Sequence, residues 1–119
     1  MKDWKPIQER YLRDSFPVRL GGLAANLRRI KSFATQDANS DAIVSLIEES
    51  KYFIEWTAPE AQTEAAEQLV NLQVQLAGWQ RNWSQIWSDP SHRKQIAEQS
   101  QAWSDQVLAL SGLLQSGPA

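Results

Sequence analysis

Cysteine is absent from the chain and histidine occurs once, at His92. Without cysteine there is no disulfide and no thiol nucleophile, whatever the redox compartment. A single histidine cannot supply most transition-metal sites. The di-iron pattern of helical bundles needs a Glu-x-x-His on each of two helices, and none occurs. A Ser-His-Asp triad could use only His92. A phosphorelay histidine sits in mid-helix, whereas His92 opens its helix and is followed by "RKQIA". No glycine-rich phosphate loop is present. The expectation is a non-enzymatic protein with no metal and no cofactor.

Long apolar runs are also missing. None approaches the roughly 20 residues needed to cross a bilayer, so no membrane span is expected. The opening "MKDWKPIQER" carries charge throughout and has no apolar secretory core, which points to a cytoplasmic protein. The Asn82-Trp83-Ser84 sequon is then a chance match. Within the 119 residues, read as one domain over 1–119, the net charge is −2. It is unevenly laid out. Residues 1–35 hold eight Lys/Arg against three Asp/Glu, and residues 36–119 hold four against eleven. A basic first helix can touch an anionic membrane surface peripherally. The simpler reading is internal compensation, with no nucleic-acid partner, because an acidic chain repels phosphate from most directions.

Glycine and proline are scarce, five of each, and they punctuate a helical pattern. From Val18 the apolar residues Leu20, Leu23, Leu27, Ile30 and Ala34 recur at 3-4 spacing, predicting helix over 18–35. Gly21-Gly22 would let another helix approach closely. Ser40 can cap a second helix over 41–56, with Ile43, Leu46 or Ile47, Ser50, and Phe53 or Ile54 inward. "TAPE" offers Thr57 as cap, Pro59 in the first turn and Glu60 to complete a capping box. The third helix, 59–88, carries Ala65, Leu69, Leu72, Leu76, Trp79, Trp83 and Ile86 without a break. Asp89 caps and Pro90 opens a fourth helix over 90–115, striped by Ile96, Ser100, Trp103, Val107, Leu110 and Leu114. Residues 4–16 form an extra helical segment before Pro17. The fold class is therefore all-α, an antiparallel up-down-up-down four-helix bundle with an extra N-terminal helical segment.

Tryptophan is what the chain has in quantity: six, with Trp79, Trp83 and Trp87 in nine consecutive positions. Folding the third and fourth helices about residues 89–90 sets Trp79 opposite Ser100 and Leu76 opposite Trp103. That alternation fills a seam, so Trp79 and Trp103 read as core, with Ser100 available to an indole N–H. A third helix of about 30 residues, roughly 45 Å, outruns a second of about 24 Å, leaving a two-helix tip. Trp83, Ile86 and Trp87 on that tip are the candidate partner-binding residues, since tryptophan concentrates at interface hot spots. Trp4 and Trp56 belong to the opposite end, where the N-terminal segment covers Trp56. The function expected is a protein-interaction or scaffold module, with a protein partner or a homo-oligomer formed through the tip. The alternative is a carrier or sensor of an apolar or aromatic small molecule, held between helices by Trp79, Trp83 and Trp103. A sealed seam favours the first, and a cavity of several hundred Å³, on the order of a ligand pocket, favours the second.

Overall fold

The 3-4 apolar spacing produces helices throughout. In the computed structural model, which describes residues 2–36 and 39–112, the elements are α1 (Lys5–Arg13), α2 (Phe16–Ala34), α3 (Ser40–Thr57), a 3₁₀ turn (Ala58–Glu60), α4 (Thr63–Arg81), α5 (Trp83–Trp87) and α6 (Pro90–Ser111). No strand occurs among the described residues, and the fold is all-α. Leu20, Leu23, Leu27 and Ile30 of α2, Ile43, Ile47 and Ile54 of α3, Leu69 and Leu76 of α4, and Ile96, Trp103 and Val107 of α6 share one core. Val18, the expected start of the α2 stripe, is exposed instead.

Neighbouring helices run antiparallel. Asn26 of α2 donates to Glu49 of α3 (3.0 Å) while Arg19 reaches Glu60 beyond the far end of α3. Gln73 of α4 donates to the Lys51 carbonyl (3.1 Å) and Trp83 reaches Ser40. Ser104 of α6 donates to the Ala24 carbonyl of α2 (2.9 Å), whereas Ala97 shares a groove with Ala34. The α2–α6 pair packs most extensively, and α4 and α6 make almost no close backbone approach. Close approach in α2–α6 comes from Ala24, Ala97, Ser100 and Ser104, all buried. Gly22 is not what permits it: a Cβ there would meet only Tyr11, at an ordinary 3.7 Å.

Several expected boundaries move, each for a local reason. Pro17 does not end a helix but lies in the first turn of α2, where its missing N–H costs nothing. Thr57 does not cap the third helix. It is fully buried in the last turn of α3, and its hydroxyl donates to the Tyr11 hydroxyl (3.2 Å). Glu60 closes no capping box, because it pairs with Arg19. Asp89 does cap α6, accepting from the Ser91 N–H at 2.9 Å, with Pro90 next in line. Helix α6 stops at Ser111, where Gly112 adopts a left-handed φ of 76° that only glycine takes without strain. Leu114 lies outside the described residues.

The long third helix divides. At Asn82 the backbone leaves helical geometry (φ −105°, ψ 19°), and both its N–H and its side-chain amide donate to the Gly78 carbonyl at 3.1 Å. Helix α4 thus has 19 residues against 18 in α3, about 28 Å and 27 Å. The expected length mismatch disappears, and α5 crosses the end instead of projecting from it.

At the opposite end α1 closes the bundle. Tyr11 stacks on Phe53 (ring centroids 3.9 Å apart), and Trp4 packs on Tyr52 (4.3 Å) and edge-on to Trp56 (6.4 Å), so the N-terminal segment covers Trp56 as expected. The Tyr11 hydroxyl donates to the Arg19 carbonyl at 2.7 Å, and burial pushes its pKa up to about 12. Arg19 is buried and donates to Glu60 and to the Asp14 carbonyl (2.9 Å). Among the described residues this is the one ion pair joining the basic first third to the acidic remainder. Arg28 and Arg29 are exposed, and Arg29 donates to Asn26 (3.3 Å).

Candidate functional site: the tryptophan groove

Two bulky side chains set the geometry between α4 and α6. Trp79 and Trp103 meet with ring centroids 4.7 Å apart, tilted by 36°. The expected pairing of Trp79 with Ser100 is displaced by about one turn, because the two indoles meet each other. Ser100 instead shares the small-residue stripe with Ala97 and Ser104, fully buried, and its hydroxyl has no hydrogen-bond partner among the described residues. Trp103 is core, 5% exposed, while Trp79 is half-buried. Two indoles cannot sit as close as two small residues, so the helices stand apart beside them.

A groove of about 460 Å³ results. Trp79, Trp103, Ile86 and Ile96 give it apolar surface, Gln75, Gln95, Gln99 and His92 give it donors and acceptors, and Glu98 adds a carboxylate. That size and mixture suit a drug-sized organic molecule, for which a few hundred Å³ is typical (on the order of 300–1,000 Å³). The His92 Nδ1 lies 3.6 Å from Asp89, and both are half-exposed. Among the described residues no three His, Asp or Glu side chains gather where they could hold a metal ion.

The three candidate partner residues fall in different environments, and none is fully exposed. Trp83 turns away from the groove: its indole N–H donates to Ser40 Oγ at 2.8 Å, tying α5 to the start of α3. Trp87 stacks on Trp83 (5.5 Å, 23°) and carries the Arg93 guanidinium over its outer ring (5.2 Å), while Arg93 also donates to the Trp87 carbonyl (2.9 Å). Ile86 alone of the three lines the groove. The expected pocket of Trp79, Trp83 and Trp103 therefore contains Ile86 in place of Trp83. No family model, curated protein or solved structure matches the chain. Its function must be argued from the groove itself.

The sequence reading passed over one apolar surface. Val70 and Val74 of α4 are 46% and 63% exposed beside a second groove of about 660 Å³ that also takes in Ala66, Ala58 and Pro59. The signal was present as a four-residue repeat, Ala66, Val70, Val74. It runs parallel to the buried Leu69, Leu72, Leu76 stripe, which claimed the helix's apolar assignment.

Proposed function

We propose that the chain is a non-enzymatic binding module that takes an apolar or aromatic small molecule between α4 and α6. The observation that carries this reading is the seam itself: it is open, about 460 Å³, and lined by Trp79 and Trp103. The glutamine side chains at its rim provide hydrogen bonds that would orient a neutral ligand, and Glu98 beside them disfavours an anionic one. Ala102 lies on the groove and is exposed, so a larger residue there can fill the site without entering the core. Wild-type protein should bind the neutral aromatic probe N-phenylnaphthylamine with a change in tryptophan emission. Ala102→Trp should weaken that binding by about ten-fold or more while shifting stability by no more than about 0.5 kcal/mol, as surface substitutions do. Equal binding by both proteins, or none by either, removes the proposal.

A second reading, a protein-interaction module that self-associates through Trp83, Ile86 and Trp87, draws support from Ile86 opening on the groove. Trp87→Glu with Ile86→Ser should then abolish concentration-dependent sedimentation and leave helical content intact, since a carboxylate is not buried unpaired in an apolar contact. A wild type that stays monomeric and captures no partner sinks this version.

A further inference from the structure

Helix α6 borders a third groove on its other flank, against the last turn of α2, with a volume of about 650 Å³. Its lining differs in kind from the tryptophan groove. Ala34, Ala97 and Pro90 supply small apolar surface, and Lys31, Arg93 and Lys94 surround them. Among the described lining residues Glu98 is the one acid beside these three cations, a local sum of +2 on a chain whose total is −2. Arg93 is already engaged with Trp87 and is thereby fixed in place. Lys31 and Lys94 make no ion pair among the described residues.

We propose that this groove binds a small organic anion with an apolar body, a medium-chain carboxylate being the simplest representative. The alkyl part would lie against Ala34 and Ala97, and the carboxylate would meet the ammonium groups of Lys31 and Lys94. An apolar floor ringed by cations discriminates by charge. A neutral molecule of the same length gains the burial but not the Coulomb attraction, and an inorganic anion gains the attraction but not the burial. Helices α2 and α6 supply all of these lining residues except Thr35, which caps the end of α2.

The test is calorimetric titration of the full chain with octanoate and, in parallel, with octanol. Octanoate should bind the wild type about ten-fold more tightly than octanol in dilute buffer, and the advantage should shrink in ~0.5 M salt as the charges are screened. In Lys31→Glu/Lys94→Glu the preference should vanish, and in Lys31→Gln/Lys94→Gln it should fall part-way. Thermal melts establish that each variant folds. Lys94 is exposed and Lys31 half-buried with no ion pair among the described residues, so no unfolding is expected. Ala102→Trp, which fills the tryptophan groove, should leave octanoate binding unchanged, separating this site from that one. The proposal is overturned by equal affinity of the wild type for octanoate and octanol, by an octanoate preference that survives the double reversal, or by its loss in Ala102→Trp. Sedimentation of wild type with phosphatidylglycerol vesicles, in the absence of octanoate binding, would equally overturn it in favour of a membrane surface.

Discussion

Helix α6 has two seams, and they are built from opposite materials. Against α2 it presents Ala97, Ser100 and Ser104, all buried, and the backbones approach until the Ser104 hydroxyl reaches the Ala24 carbonyl at 2.9 Å. Against α4 it presents Trp103, which meets Trp79 at 4.7 Å, and the helices part around a groove of about 460 Å³. Both seams share one helix and one solvent. Side-chain volume at two or three positions decides whether a helix pair closes or opens. The α2–α6 seam is closed where Ser100 and Ser104 lie and opens only at its end, beside Ala34 and Ala97, whereas the α4–α6 seam opens beside its indoles.

The largest expected effect comes from removing the wedge. Trp103→Ala should destabilise the fold by about 3–5 kcal/mol in denaturant melts, as large-to-small core substitutions do. A loss under about 1 kcal/mol would mean that Trp103 props the groove without holding the core. Crowding the closed seam should cost less. Ser104→Leu is expected to lower stability by about 1–3 kcal/mol through overpacking, and Ser104→Ala by about 0.5–1.5 kcal/mol through the lost hydrogen bond. If Ser104→Leu were neutral, the α2–α6 contact would be looser than its buried serines indicate.

At neutral pH the smallest effect lies at the far end, where neither seam reaches. Tyr11 has its pKa raised to about 12 by burial, against an unfolded value of 10.0. The folded state therefore holds the phenolic proton more tightly than the unfolded chain does. The associated stability is intact below pH 10 and is lost as pH rises towards 12. Melts of Tyr11→Phe and wild type across that window should converge, because phenylalanine carries no such proton. A constant offset between the two would assign the hydroxyl a hydrogen-bonding role alone.

Elements with one wide apolar stripe were legible before any coordinates. Leu20, Leu23, Leu27 and Ile30 repeat at helical spacing because one face is buried along its full length, and Asp89-Pro90 marks a helix start by chemistry that acts within three residues. What the pattern could not show was the break at Asn82. The 4-3 spacing of Trp79, Trp83 and Ile86 runs straight through it, although Asn82, donating to the Gly78 carbonyl, ends α4 there. The extrapolated tip followed from that continuity. Glu60 misled for a related reason: its capping-box spacing is local, whereas Arg19, its actual partner, stands 41 positions earlier. The groove was anticipated as one of two outcomes, and its tryptophan pair was named, but its register depended on how far two indoles hold helices apart.

The hydrogen bond from Ser104 to Ala24 spans 80 positions of sequence, and it sits in the most extensive helix pair of the fold. During synthesis α2 leaves the ribosome long before its principal partner exists. For most of that interval the stripe from Leu20 to Ile30 has only α3 against which to shelter. Contacts of such separation are reached late, after loop closure has been met, and partly assembled chains with uncovered leucines are prone to associate. Chains stalled before α6 should accordingly recruit holdase chaperones, and the release of those chaperones should coincide with the emergence of residues 97–104.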